Sequence, residues 1–157
     1  MRCDVSDETD LHNEKTVAIE DQDIDRSRVE FAVVPFEKIN DSLLKTSFDC
    51  VVSINALTRM ENPRKFLKNV FHLVRPKGGT LVIGSTFDWS EDRTPRQNWL
   101  GGYVSKDGTR VESVETLKDI LSKDFDLITQ EDVPCFVRDS SRRIVMTAQS
   151  VTVWKRH

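Results

Sequence analysis

The sequence predicts an α/β chain built on an open, partly parallel sheet. Three observations carry this. Phe48 to Ile54 is a nearly continuous apolar run that ends at the polar Asn55. An amphipathic stretch follows and stops at Pro76-Lys77-Gly78-Gly79. A second apolar run, Thr80 to Ser85, begins at once. Strand, crossover helix and strand in that order form a parallel unit.

Each element has its own local reason. The unbroken apolar character of Phe48 to Ile54 is that of a strand covered on both faces. Asn62 can cap a helix, and Pro63 sits at the first helical position, where its missing N–H costs little. Phe66, Leu67, Val70, Phe71 and Val74 recur at helical spacing, with Lys65, Lys68 and Asn69 toward water. Pro76 and the glycine pair end the helix.

Upstream, Val29 to Val34 is a short strand candidate stopped by Pro35. Downstream, Thr86 to Thr109 reads as a long loop. Loops of that length in a compact domain are usually functional or disordered. This one carries two of the three Trp residues and two adjacent Gly, which marks it as an ordered binding loop or lid. Ser113 is expected to cap a helix over Val114 to Ser122, with Val114, Leu117, Ile120 and Leu121 as its apolar stripe. Phe125 to Val137 and Ile144 to Trp154 read as two strands joined by the polar turn Arg138 to Arg143. A parallel unit closed by an antiparallel hairpin differs from a simple all-parallel sheet.

Composition bounds the function. At 157 residues, 38% hydrophobic and 31% charged, the chain is a single soluble domain or a large part of one. No apolar stretch is long enough to span a membrane, and no leader pattern opens the chain, so a cytoplasmic location is expected. Cys3, Cys50 and Cys135 are scattered without metal or disulfide spacing. Cys50 and Cys135 fall in apolar runs and read as small buried hydrophobes.

The net charge of −3 hides an asymmetry: residues 1–28 hold nine of the 26 acids and four of the 23 bases. This opening reads as an acidic, solvated lead to a domain over residues 29–157. No basic stripe exists elsewhere, which argues against nucleic acid.

Several motifs together carry a family resemblance. Asn55 ends one strand, and Arg75-Pro76-Lys77-Gly78-Gly79 precedes the next. This order resembles class I S-adenosylmethionine-dependent methyltransferases, a Rossmann-like fold whose sheet receives an antiparallel strand from a C-terminal hairpin. Trp89, Thr94-Pro95-Arg96 and Trp99-Leu100-Gly101-Gly102 look like the methyltransferase domain of ovothiol-biosynthesis proteins, as do Asn55 to Arg59, Phe136 to Asp139 with Arg142, and Thr152 to Arg156. Asp25 to Val29 with Phe31 fits the approach to that family's third strand.

The resemblance implies N1-methylation of a 4-mercaptohistidine, a histidine-derived thiol, with S-adenosylmethionine as donor and no metal. It places Asn55, Ala56 and Phe36 at the cofactor, and Arg59, Phe87, Trp89, Trp99, Gly101, Gly102 and Arg138 at the substrate. The chain also departs from the family. Its first strand, Gly-rich loop and acidic second-strand end have no counterpart here. Residues near Val34-Pro35-Phe36 replace its Gly-Asp-Ala, Phe87 stands for a Tyr, and Met146 stands for a Trp. A truncated domain with an impaired cofactor site is the expected consequence.

Each residue also has a plainer reading. Asn55 could cap the turn leaving its strand, and Arg59 could pair with Glu61 at the surface. Trp89 and Trp99 could anchor the loop, and Gly101-Gly102 could simply make a turn. Arg138 could be solvated in its turn, and His72 is a structural or surface residue. The alternative function is a non-catalytic remnant or interaction module. A sheet without its central strands exposes edges, and an oligomer, a complementing partner chain or marginal stability would follow.

Overall fold

The computed structural model describes residues 2–8, 11–16, 26–34, 38 and 47–157, with side chains described for 27–34, 38 and 47–157. The chain divides into two compact units, Met1–Val33 with Pro134–Thr147 and Val34–Val133 with Ala148–His157.

The first unit opens with an antiparallel pair, β1 (Arg2–Glu8) and β2 (Leu11–Thr16). This hairpin lies inside the acidic opening segment. A 3-10 turn at Arg26–Arg28 comes next. The strand expected over Val29 to Val34 does not form: these residues have no ladder partner, and Phe31 is 93% exposed. β-branched and aromatic composition favours a strand only where neighbours and a buried face exist to pack against. The segment around Phe36 lies outside the described residues.

The second unit contains the parallel core. β3 (Cys50–Ile54) runs beside a later strand, and the connection begins with a 3-10 turn at Leu57–Arg59. Helix α1 (Pro63–Asn69) starts as its sequence dictates. Asn62 Oδ1 accepts the Lys65 N–H at 2.9 Å, and Pro63 takes the first position. The helix then tightens into a 3-10 turn over Val70–Leu73, so it is shorter than its apolar stripe suggests. Strand β4 (Thr80–Ser85) closes the unit, in parallel register with β3 from Cys50↔Thr80 to Ile54↔Gly84.

The long loop is ordered. It holds a 3-10 turn at Arg96–Asn98 and a short antiparallel ribbon, β5 (Tyr103–Val104) with β6 (Arg110–Val111). Helix α2 (Ser113–Leu121) follows. Its N-cap is Glu112, not Ser113 as expected, and no side chain caps it. The Ser113 hydroxyl is engaged elsewhere, accepting the Trp89 indole N–H at 2.8 Å.

Strands β7 (Phe125–Ser140) and β8 (Arg143–Arg156) form the C-terminal hairpin and run through both units. Their turn is only Ser141-Arg142, tighter than the polar segment suggested. Arg138 is therefore a strand residue, and its guanidinium donates to the Ser141 carbonyl at 3.3 Å. The four-stranded sheet has the order β3-β4-β8-β7, with β8 antiparallel to β4 from Thr80↔Lys155 to Ser85↔Ser150.

One face of this sheet is dry. Leu81 and Ile83 on β4 and Trp154 on β8 are buried with Leu67, Val70 and Val74 from the α1 side and Leu117, Leu121 and Phe125 from the α2 side. The other face of β3 is open, contrary to the expectation of two covered faces. Val52 is 60% and Ile54 46% exposed, and Cys50 is exposed as well. Among the described residues β3 is an edge strand of its sheet.

The chain end locks the βαβ turn. Lys77 and Gly78 donate their amides to the carbonyls of His157 and Arg156 at 2.8 and 3.0 Å. The Arg156 guanidinium donates to the Phe71 and Val74 carbonyls and lies 5.4 Å from the Phe71 ring centroid. Basic side chains commonly satisfy helix-end carbonyls in this way. Gly79 is required by contact: a Cβ there would sit 2.4 Å from the Arg75 carbonyl oxygen. No helix among the described residues is long and apolar enough to cross a membrane.

Leu81 is fully buried at the centre of this core. Leu81→Ala is expected to destabilise the fold by about 2–5 kcal/mol, the cost of lost burial plus a cavity. Urea unfolding followed by tryptophan fluorescence measures it, and a change below 1 kcal/mol would contradict the described core.

Candidate functional site at the carboxyl ends of the parallel strands

In open α/β sheets ligands gather beyond the carboxyl ends of the strands. Here β3 ends at Ile54 and β4 at Ser85. Both chains turn away through a left-handed residue, Asn55 at φ 51° and Phe87 at φ 51°. Asn tolerates this conformation, whereas a bulky aromatic there is an outlier. The Asn55 amide donates to the Gly84 carbonyl at 2.8 Å, which ties the two strand ends together. Phe87 is held by its amide, which donates to the Ser85 hydroxyl at 3.0 Å.

Two polar atoms at this end are orphaned. Ser53 Oγ and Asn55 Oδ1 are buried and have no hydrogen-bond partner. Ser53 is only 8% exposed. A buried polar group left unpaired costs about 1–3 kcal/mol. Asn55 Oδ1 accepts, and the Ser53 hydroxyl both donates and accepts, so these group types fit the ammonium and carboxylate of the amino-acid end of a donor such as S-adenosylmethionine. The other half of such a site is not supplied by glycine: all six glycines of the chain lie at Gly78 or beyond.

A cavity of about 530 Å³ opens beside Phe87. The ribbon β5–β6, the start of α2 and Ser150 of β8 form its walls. Of the expected substrate-site residues, Phe87 and Gly102 line it. Asn55, Ala56, Arg59, Trp89, Trp99 and Gly101 do not. Arg59 is exposed at the end of its 3-10 turn. Arg138 belongs to the other unit, and Phe36 lies outside the described residues.

The two Trp residues anchor the loop. Their rings stack at 6.3 Å, and Phe87 lies 6.5 Å from Trp89. Trp89 gives its indole N–H to Ser113, and Trp99 gives its own to the Thr94 carbonyl at 2.8 Å. Thr94 is buried and donates to the Met60 carbonyl at 2.7 Å, while Arg64 donates to the Trp99 carbonyl at 3.0 Å. Gly101 is also architectural. A Cβ there would lie 2.4 Å from the Ser113 amide nitrogen, so main chain rather than ligand makes the close approach. Gly102, at φ 84°, turns the chain into the cavity wall.

Sequence reading missed Tyr103, Arg110, Glu112 and Ser150 in the cavity. The signal for the ribbon was present in Asp107-Gly108, a hairpin turn pair. Gly108 has φ 85°, and Ser105 and Thr109 close the turn by main-chain bonds.

A family model described as a methyltransferase domain matches residues 3–83, over half of the chain. The chain belongs to the methyltransferase-domain family. The matched span begins inside the acidic opening segment and ends in β4. No curated protein matches the chain. Among solved structures, one from work on converting a disulfide bond into a thioacetal group during echinomycin biosynthesis is 17% identical. The similarity covers 69% of this chain and 49% of that one, at a TM-score of 0.45. The N-methyltransferase NodS from Bradyrhizobium japonicum WM9, in complex with S-adenosyl-l-homocysteine, is 20% identical, with 71% and 47% coverage and a TM-score of 0.40. The chain thus spans about half the length of these structures.

The ribbon turn makes a pH-dependent prediction. The Ser105 hydroxyl and the Thr109 amide donate to the exposed Asp107 carboxylate, which holds its pKa below the ordinary aspartate range. A carboxyl pKa depressed in the folded state adds stability above the unfolded value, and this is lost as pH falls through the folded one. Carboxyl-detected NMR titration should find Asp107 titrating low, and Ser105→Ala should move it upward. An unchanged value in the variant would contradict this turn geometry.

Proposed function

We propose that this methyltransferase-family domain is built for S-adenosylmethionine-dependent methylation of a ring nitrogen on a small, histidine-derived thiol, and that its donor affinity is low. The observation that supports this reading is the pair of orphaned polar atoms, Ser53 Oγ and Asn55 Oδ1, at the carboxyl end of β3, the strand parallel to the one that leads to the cavity-lining Phe87. In this reading Asn55 and Ala56 hold the amino-acid part of the donor, and Phe87 and Gly102 face the substrate. Trp89, Trp99 and Gly101 set the shape of the loop rather than touch the substrate. The donor, when bound, supplies an electrophilic methyl group on a sulfonium. The chain's own contribution is to orient the ring nitrogen in line with that methyl and to exclude water, and positioning of this kind accounts for much of such a barrier.

The substrate class rests on resemblance. Trp89, Thr94-Pro95-Arg96 and Trp99-Leu100-Gly101-Gly102 are similar to the loop of ovothiol-biosynthesis methyltransferases. Low donor affinity rests on the lack of any glycine before Gly78. Isothermal titration with S-adenosylmethionine tests the donor half. Binding weaker than about 100 μM is expected, abolished in Asn55→Gly. Glycine keeps the left-handed φ at little cost, so Asn55→Gly should preserve thermal stability while removing the amide. Micromolar binding would refute the impairment. Weak binding unaffected by Asn55→Gly would remove Asn55 from the site.

A second reading is favoured by the open flank of β3. Among the described residues β3 is an edge without a further partner, and with Val52 and Ile54 exposed it is the kind of surface proteins protect by pairing or covering it. The domain would then act as an interaction module held by another chain. Light scattering after size exclusion is expected to show a dimer or larger species at micromolar concentration in this case. A monomer with one sharp thermal transition would set this reading aside.

A further inference from the structure

Among the described residues, the polar lining of the cavity beside Phe87 contains one cation, Arg110, and one anion, Glu112, and neither is spent. Arg110 and Glu112 both line it. Among the described residues neither side chain has a hydrogen bond or ion pair. Arg110 pairs through its backbone with Val104 in the ribbon. Glu112 continues the same extended path, with φ −98° and ψ 136°, just before α2. In an extended chain residues two apart project to one side. Opposite charges thus stand side by side along one wall without neutralising each other. Phe87, Val104, Val111 and Val114 supply the apolar remainder, with Tyr103 beside them.

We infer that this cavity binds the zwitterionic head of a free α-amino acid, the Arg110 guanidinium taking the carboxylate and the Glu112 carboxylate taking the ammonium. The chemistry selects this class over its neighbours. A planar guanidinium fork matches a carboxylate in two parallel bonds. A simple anion would meet repulsion from Glu112, and a simple cation would meet repulsion from Arg110. A ligand carrying both charges on one carbon satisfies both groups at once. A cavity of about 530 Å³ lies within the range of small-molecule sites and leaves room for a side chain against the apolar wall. This assignment deepens the proposed methylation of a histidine-derived substrate and rests on that reading for its choice of probe. It gives the carboxylate to Arg110, whereas the resemblance placed Arg59 at the substrate.

Two-dimensional amide NMR of the full chain tests it with three probes. L-Histidine carries both charges, histamine lacks the carboxylate, and 3-(imidazol-4-yl)propionate lacks the ammonium. Histidine should shift the amides of Gly102, Tyr103 and residues 110–114, with both analogues at least about tenfold weaker. Arg110→Gln and Glu112→Gln should each weaken histidine by about tenfold while leaving the melting temperature unchanged, since both side chains are exposed and unpaired. Equal binding of histamine and histidine, shifts confined to other residues, or no histidine binding up to about 10 mM would overturn the assignment. S-adenosylhomocysteine titrated in parallel separates the two proposals. Donor binding without histidine binding sinks this one alone, and histidine binding without donor binding supports it while sinking the methyl-donor reading.

Discussion

A pair of parallel strands has little stability of its own in water, so the βαβ unit depends on the pairing of β4 with β8. That ladder runs from Thr80↔Lys155 to Ser85↔Ser150 and brings Leu81 and Ile83 level with Trp154 and Thr152. Trp154 is buried and gives its indole N–H to Thr152 at 2.9 Å, and the Thr152 hydroxyl reaches the Ile83 carbonyl at 3.3 Å. The same strand ends by receiving the amides of Lys77 and Gly78. One C-terminal segment thus completes the sheet, seals its buried face and fixes the turn between helix and strand. Positions at the far ends of β3 and β4 inherit their geometry from it.

The loop after β4 is fixed by a different device. It packs Leu100, Phe87 and Trp89 against the core, and polar bonds to neighbouring main chain hold the rest. Thr94 reaches the Met60 carbonyl, Asn98 reaches that of Glu61, and Arg64 reaches back to Trp99. The Thr94 bond is buried and therefore costly to leave unmade, which favours this loop conformation. The cavity wall can then be built on a two-residue ribbon that would be far too short to persist alone. Loop motifs that suggest a substrate site, Thr94 and Trp99 through Gly101, are here the fasteners of that wall.

What the sequence made legible follows from periodicity and punctuation. The parallel core over residues 48–85 could be read because a helical stripe between Asn62-Pro63 and Gly78-Gly79 admits little else. The hairpin was legible in kind but not at its tip, since Arg138 to Ser140 and Arg143 are polar strand residues that hydropathy does not distinguish from a turn. Ser113 looked like a cap because serine usually is one. Its hydroxyl was claimed instead by Trp89, 24 residues earlier, a contact no local pattern encodes. Val29 to Val34 had the composition of a strand without a partner to pair with. The acceptors Ser53 and Asn55 were named or passed over as ordinary polar residues, because burial without a partner is a property of three-dimensional packing alone.

The costs that this structure carries converge on one place. Two unpaired buried oxygens, each worth about 1–3 kcal/mol, sit at the end of β3. A phenylalanine is held at positive φ just past the end of β4, a conformation that costs of order 1–3 kcal/mol. Net protein stability is only about 5–15 kcal/mol, so such terms are a large share of it. Substituting Ser53 by alanine would remove one of them without touching the apolar core. A fold shaped by stability alone would have shed them, and their clustering around the carboxyl ends of two parallel strands argues that ligand binding, not folding, keeps them there.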